Sequence, residues 1–342
     1  MNKQILSNLK DYLSESRNIL ITTHRGPDGD AMGSSLALYQ LLVAQGHKVS
    51  VVVPNDYAAF LHWLPCDDIV VEYEKETAKA QELIKAASII FCLDFNDLKR
   101  TDMMAAALDA AEAKMVMIDH HQEPTDFADF TFSVPTACST AQLIYEFAEG
   151  MDWEHLMTKD IAACIYTGLV TDTGSFRFSS VEAKTHRITS ELIDLGLQHA
   201  EIHAKLFDNN KASRLQLLGY CLSEKLEVLP EYHTAIMSLS TEELERFNFV
   251  KGDTEGFVNY ALSIKGVIFT AFFIQHKDMV KISFRSKNNF RANEVSKAHF
   301  NGGGHINAAG GAFEGSLEDA ISKFKNNLNS YEKELLIEAA KS

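Results

Sequence analysis

Thr23-His24-Arg25-Gly26-Pro27-Asp28-Gly29-Asp30-Ala31-Met32-Gly33-Ser34 is the stretch on which the reading of this chain turns. On its N-terminal side, residues 19–23 form a short apolar, β-branched run, the composition of a strand. On its C-terminal side, residues 31–45 carry helical periodicity and stop at Gly46, a residue suited to the left-handed position that closes a helix. The stretch is therefore a strand-to-helix turn, and open α/β sheets bind their ligands beyond the carboxyl ends of their strands. An Asp before a helix is commonly an N-cap and nothing more. That accounts for one Asp, but not for His24, Asp28 and Asp30 within seven residues. The glycines are expected to let the backbone turn tightly around the carboxylates.

Outward from this turn, strand-like and helix-like segments alternate. Residues 49–53 read as a strand, 77–87 as a helix, 88–93 as a strand, 103–113 as a helix and 115–118 as a strand. This alternation predicts a mostly parallel sheet covered by helices. Asp94 ends the strand 88–93, and Asp119-His120-His121 ends the strand 115–118. After Ser139 the pattern turns helical over 143–147, 161–170 and 183–195, with Asp172 in Thr171-Asp172-Thr173-Gly174. Separate elements that each deliver an Asp or His to one rim are what a metal cluster needs. Carboxylates with imidazoles suit Mn²⁺ and related divalent ions better than thiolate-preferring metals. Two such ions about 3.5–4 Å apart can clamp a phosphate and activate a water.

The second half has another texture. Residues 200–224 read as a helical connector, and 233–239, 267–275 and 279–284 as strands. The last two are expected to form a hairpin around His276-Lys277-Asp278. A glycine-rich loop at 302–304 and one amphipathic helix or two over 317–340 complete it. The expected organisation is an α/β catalytic domain over 1–197, a helical linker over 198–225 and a smaller α+β domain over 226–342, with the active site in the cleft between domains. Successive glycines Gly302, Gly303 and Gly304 can expose N–H groups to an anion. Arg285 offers a planar fork for phosphate, and His305 a hydrogen bond or a stacking ring. Arg25, Arg177, Lys287 and Arg291 read as solvated surface charges, and Phe176 and Phe178 as core aromatics rather than base-stacking residues.

Composition narrows the function classes. With 342 residues, 46% hydrophobic and 23% charged, the chain suits two soluble domains. It has no apolar run near the ~20 residues that span a bilayer, and the first nine residues lack a signal-peptide pattern. A cytoplasmic location without membrane contact is expected. The five cysteines, Cys66, Cys92, Cys138, Cys164 and Cys221, are scattered and form no C-x-x-C pair, as expected of reduced, mostly buried thiols. The net charge of −15 repels long polyanions, so a nucleic-acid substrate should be short and held locally rather than be a long duplex.

The four elements T-H-R-G-P-D-G-D-A-x-G-S, L-D-F, D-H-H and T-D-T-G resemble, in order and spacing, the motifs of the DHH phosphoesterases. Ser283-Phe284-Arg285-Ser286 and Gly302-Gly303-Gly304-His305-x-x-Ala308-Ala309-Gly310 resemble the DHH-associated C-terminal domain of the same family. Length and domain content are most similar to its NrnA-type oligoribonucleases, or pAp phosphatases. The RecJ exonucleases are longer, the large cyclic-dinucleotide phosphodiesterases carry membrane and sensory segments, and family II pyrophosphatases have a different second domain. The resemblance implies that His24 and Asp28 hold one ion, that Asp94 bridges, and that Asp30, His120 and Asp172 complete a second site. It implies catalytic roles for Asp119 and His121, which hold ligands or donate a proton to the leaving group. Arg285, Gly302, Gly303, Gly304 and His305 would hold substrate. The implied cofactor is two divalent ions, Mn²⁺ first, with Mg²⁺ or Co²⁺ as alternatives. The implied reaction is hydrolysis of short single-stranded RNA to 5′-mononucleotides, with pAp as a second substrate. A cyclic or linear dinucleotide phosphodiesterase is the alternative reading, and a non-catalytic nucleotide-binding protein is the alternative from another class. A homodimer is left open. Many family members carry a fourth glycine where Asn301 stands, which leaves the backbone shape there unsettled.

Overall fold

The computed structural model describes residues 2–277 and 279–341. They form one compact unit up to Asn209 and a second from Asn210. The strands of the first unit are β1 (Asn18–Thr22), β2 (Lys48–Val53), β3 (Val70–Glu72), β4 (Ile89–Leu93), β5 (Lys114–Asp119) and β6 (Phe130–Ser133). They pair in the order β3-β2-β1-β4-β5-β6, parallel throughout. The chain thus moves one way from β1 and the other way from β4. The crevice at the carboxyl ends of these two adjacent strands is the switch point of the sheet. Every residue of β4, Ile-Ile-Phe-Cys-Leu, is buried, because a central parallel strand is covered on both faces.

The helices of this unit are α1 (Lys3–Tyr12), α2 (Gly29–Ala44), α3 (Thr77–Ala86), α4 (Ala105–Asp109), α5 (Thr140–Gly150), α6 (Lys159–Asp172), α7 (Ala183–Asp194) and α8 (His199–Phe207). Helix α2 is buried along nearly its whole length. Small residues set how closely its neighbours approach. A Cβ on Gly33 would lie 2.4 Å from the Cys164 carbonyl oxygen, and one on Gly29 2.5 Å from the Thr171 side chain. Of the motif glycines, only Gly26, with φ 67°, serves the turn itself; Gly29 and Gly33 are there for helix packing. The helix expected over 103–113 is shorter than its sequence suggests. A 3₁₀ segment, Leu98–Met104, interrupted at Asp102 with φ 49°, precedes the short α4. A residue in the left-handed region cannot continue a right-handed helix, and the Asp102 carboxylate is drawn aside to pair with Arg25.

The strands of the second unit are β7 (Glu227–Leu229), β8 (Thr234–Leu239), β9 (Phe269–His276), β10 (Met279–Ser286), β11 (Gly303–His305) and β12 (Ala308–Glu314), in the order β11-β12-β10-β9-β8-β7. Among the described residues of this sheet, only β8 and β9 run parallel. β9 and β10 pair antiparallel as expected of the hairpin, whose Asp278 lies outside the described residues. The helices are α9 (Ala212–Glu224), α10 (Thr241–Arg246), α11 (Phe257–Leu262), α12 (Ala292–His299), α13 (Leu317–Leu328) and α14 (Glu332–Ala339). One sheet face packs Phe269, Phe273 and Phe284 against Phe300 and Phe324. The other packs Met237 and Phe272 against Leu217 and Phe257. The C-terminal amphipathic stretch is two helices, parted by a 3₁₀ turn at Asn329–Tyr331. No helix among the described residues is long and apolar enough to cross a membrane.

Candidate metal centre

At the switch point of the first sheet, the ends of β1, β4 and β5 deliver His24, Asp94 and Asp119-His120-His121. The first turn of α2 adds Asp28 and Asp30, and the last residue of α6 adds Asp172. Ligand atoms of His24, Asp28 and Asp94 lie within 4.8 Å of one another, as do those of Asp30, His120 and Asp172, and those of Asp94, Asp119 and His121. Asp28 is indeed the N-cap of α2, with Oδ1 accepting from the amides of Asp30 and Ala31 at 3.0 Å. The capping and ligand readings are compatible, since one oxygen caps and the other remains.

The imidazoles are oriented by their outer nitrogens. His24 Nδ1 lies 3.0 Å from the Arg25 carbonyl oxygen and His120 Nδ1 3.2 Å from that of Ala137. A carbonyl only accepts, so each Nδ1 carries a proton and each ring turns its Nε2 inward, where it can offer a lone pair to a cation. His24 Nε2 faces Asp94 Oδ2 at 3.4 Å. His120 Nε2 faces Asp94 Oδ1 and Asp172 Oδ2 at 3.5 Å and Asp30 Oδ2 at 3.7 Å. These spacings are too long for good hydrogen bonds. They are close to the spacing of two ligand atoms about 2.1 Å from a shared cation, which lie about 3.0 Å apart at a right angle and about 3.4 Å apart at the tetrahedral angle. The residues present therefore fit divalent ions. The two oxygens of Asp94 face different histidines, Oδ2 toward His24 and Oδ1 toward His120.

Charge is concentrated here, and its innermost carboxylates are almost sealed from water. Asp30 and Asp94 are 1% and 2% exposed. Burial, then repulsion by Asp94, Asp172 and Asp28, pushes the Asp30 carboxyl well above the usual range. Burial would push Asp94 up as well, but His24, His121 and His120 reverse the effect and hold it below the ordinary value. Burial pulls down the two histidines, but facing carboxylates overcome it, so both His24 and His120 are raised. Such a pocket calls for cations. His121 is placed differently: its Nδ1 is 2.7 Å from Asp119 Oδ1, and its amide donates to Asp119 Oδ2 at 2.9 Å. Asp119 is fully buried, so it fixes the ring of His121.

Asp94 has φ 64°, unusual for a residue other than glycine and the kind of backbone strain that collects at functional sites. Two residues that donate hydrogen bonds to the carboxylates, Thr140 and Ala141, were not among the sequence-based candidates. Thr140 Oγ1 donates to Asp94 Oδ1 at 2.8 Å, and the amides of Thr140 and Ala141 donate to Asp30 at 2.6 and 2.8 Å. The signal for them was Ser139-Thr140 at a helix start, legible as a cap but not as a ligand support. Arg25 is held by Glu74 and Asp102, as befits a surface charge. Phe176 packs on Tyr166 and His186, while Phe178 is 40% exposed.

In the second unit, Gly302–Gly304 is not a free loop. Gly303 and Gly304 pair with β12, and the Gly302 amide donates to the Ser296 carbonyl oxygen. The glycines answer crowding: a Cβ on Gly302 would lie 1.9 Å from the Gly310 carbonyl oxygen, and one on Gly304 2.6 Å from that of Ala308. Asn301 takes φ 48°, the left-handed conformation in which Asn comes nearest to replacing glycine. Arg285 and His305 both pair with Ala308, from opposite sides. Directly paired residues share a sheet face, so a cationic fork and an imidazole flank a single methyl group.

Residues 18–169 match the DHH family, N-terminal domain, and residues 234–334 match the DHHA1 domain. The chain is 30% identical, over 89% of its length and 87% of the relative's, to the bifunctional oligoribonuclease and PAP phosphatase NrnA of Thermus thermophilus. It is 27% identical to the NrnA of Bacillus subtilis, over 85% and 88% of the two chains. Among solved structures, an exopolyphosphatase-related protein from Bacteroides fragilis superposes with a TM-score of 0.94 at 40% identity, covering 98% of each chain.

Proposed function

This chain belongs to the DHH family, with a DHHA1 domain after its DHH domain, and from that premise we propose that it is a metal-dependent phosphoesterase acting on short oligoribonucleotides and on pAp. The observation that carries the reading is Asp94, whose two carboxylate oxygens face His24 and His120 separately. We assign His24, Asp28 and Asp94 to one ion and Asp30, His120 and Asp172 to another, with Asp94 common to both because its Oδ1 lies 3.5 Å from His120 Nε2. The donor set of carboxylates and imidazoles favours Mn²⁺. Such a pair of ions, when bound, supplies a clamp on the phosphate oxygens and a water that is acidic near neutral pH.

The chain's own groups do the rest. Hydrogen bonds from Nδ1 of His24 and His120 aim both Nε2 atoms inward. Burial around Asp30, Asp94 and Asp119 keeps competing water out and strengthens every charge interaction. In its imidazolium form, with Nδ1–H held by Asp119, His121 would give its Nε2 proton to the leaving oxygen and be left as the neutral ring. On the second unit, Arg285 and His305 bind a substrate phosphate from either side of Ala308. The net charge of −15 supports short substrates, since affinity for long nucleic acids rests on many Lys and Arg contacts to phosphates. Five free cysteines support the reducing cytoplasm as its place of action.

The test is a panel assayed with Mn²⁺: pAp, di- to pentaribonucleotides, a long single strand, cyclic dinucleotides and polyphosphate. Efficiency should peak at about two to five nucleotides, because two anchors give no grip on added length. A long strand degraded as efficiently as a trinucleotide would reject the reading. Preference for polyphosphate, the chemistry in the name of the Bacteroides protein, would replace it.

A further inference from the structure

We propose that Thr140 is a positioning residue of this centre, fixing at once one carboxylate from each of the two donor sets. The inference rests on the metal-centre reading above. Thr140 is the first residue of α5, fully buried, and its place is set by Ser139, whose hydroxyl caps the helix by accepting from the Gln142 amide at 3.0 Å. Its hydroxyl lies 2.8 Å from Asp94 Oδ1. An ionised carboxylate only accepts, so the hydroxyl donates. Its amide lies 2.6 Å from Asp30 Oδ2, while the next amide, that of Ala141, holds Asp30 Oδ1 at 2.8 Å.

The two contacts do different things. Asp30 receives two N–H groups of a helix start, which fix its plane and offset its charge. Those contacts are backbone and do not depend on the side chain at 140, provided it is not proline. Asp94 leans on the side chain. The terminal torsion of an Asp is broad, so its carboxylate plane is set by whatever donates to it. Bonding to Oδ1 keeps that oxygen toward His120 Nε2, 3.5 Å away, and leaves Oδ2 toward His24. Without the hydroxyl, the residue shared by both sets would lose the restraint that points each oxygen at its own histidine. Other groups that support ligands from outside behave in this way: their loss commonly weakens metal affinity by ~10–100-fold without removing a ligand.

The experiment compares wild type, Thr140→Val and Thr140→Ser by Mn²⁺ titration, reading free Mn²⁺ by electron paramagnetic resonance and following any spin-coupled signal from a pair of ions. Folding is checked in chelator by tryptophan fluorescence. Thr140→Val should bind Mn²⁺ about tenfold or more weakly, with the paired signal lost first, and Thr140→Ser should restore binding. Val binding as tightly as wild type overturns the proposal, as does a Ser variant as weak as Val, since the hydroxyl would then not be the cause. Should Thr140→Val fail to fold, Thr140→Ala carries the same expectation. Wild type without Mn²⁺ binding would instead remove the metal-centre reading, and this inference with it.

Discussion

Gly168→Ala should damage the centre from a position that ligates nothing. Gly168 lies inside α6, where alanine is the better helix former by ~1 kcal/mol. A Cβ built there would lie 2.4 Å from the Cβ of Ala141 and 2.6 Å from Asp30 Oδ1, against an ordinary contact of 3.4 Å or more. Neither neighbour can step aside. The Ala141 methyl is fixed by its own backbone, and the Asp30 carboxylate by two amide hydrogen bonds. Relief therefore needs α6 to move from α5 by about 1 Å, the kind of overpacking that costs ~1–3 kcal/mol. After the gain in helix propensity, the net loss is about 1–2 kcal/mol at the upper end of that range, and each kcal/mol lowers the melting temperature of a unit this size by about 2–4 °C. Both tryptophans, Trp63 and Trp153, belong to the first unit, so intrinsic fluorescence in chelator follows its unfolding alone. Mn²⁺ affinity should fall in the same variant, because moving α6 carries Asp172, its last residue, away from Asp30 and His120. Gly219→Ala is the control: it sits exposed inside α9 with nothing within 4 Å of its built Cβ, and should stabilise by up to ~1 kcal/mol, seen by far-ultraviolet circular dichroism. A Gly168→Ala protein that melts at or above wild type would refute the crowding argument.

Asp94→Asn should remove hydrolysis of every substrate with Mn²⁺ while leaving the fluorescence midpoint near wild type, since Asn tolerates φ 64°; substantial turnover would exclude Asp94 as the shared ligand. Arg285→Ala should lower kcat/KM by roughly tenfold to a hundredfold, the worth of a charged hydrogen bond, with bound Mn²⁺ unchanged; equal efficiency would mean that Arg285 does not touch substrate. Asp129 accepts from the Met115 amide at 2.8 Å and pairs with Lys114 at 3.1 Å, and these contacts hold its carboxyl below the ordinary value. A lowered carboxyl contributes stability above its unfolded pKa and loses it as pH falls through the folded one. Asp129→Asn should therefore be less stable than wild type at neutral pH, with the gap closing below the usual Asp range; a gap that did not change with pH would assign the effect to something other than charge.

The sequence made the centre legible because each ligand sits at the end of a periodic segment. His24, Asp94 and Asp119 follow apolar runs that could only be strands, and these strands prove to be adjacent in the sheet. What it hid was whatever depends on a neighbour distant in sequence. Gly29 and Gly33 looked like turn residues, yet their partners are Thr171 and Cys164. Gly302 and Gly304 were legible as a glycine run, but not the close approach of the β12 backbone that leaves no room for a Cβ at either. The edge strands β3 and β6 are three and four residues long, too short for periodicity to register. Thr140 was one Thr among many until Asp94 lay 2.8 Å from its hydroxyl.

The pairing pattern of the two sheets also bears on how the chain acquires its structure. Among the described residues, no neighbouring strands in the first sheet are antiparallel, so none can be joined by a tight turn and each pairing waits for a crossover. The second sheet offers three sequence-local pairs, β7–β8, β9–β10 and β11–β12. Loop closure precedes the reward of non-local contacts, so the first unit has the slower route and the second the faster. During synthesis the slower unit emerges first, and its acidic pocket stays incomplete until Asp172, at the end of α6, has left the ribosome. Until then the apolar strands around Asp94 are exposed, and this is the interval in which the chain is most open to aggregation.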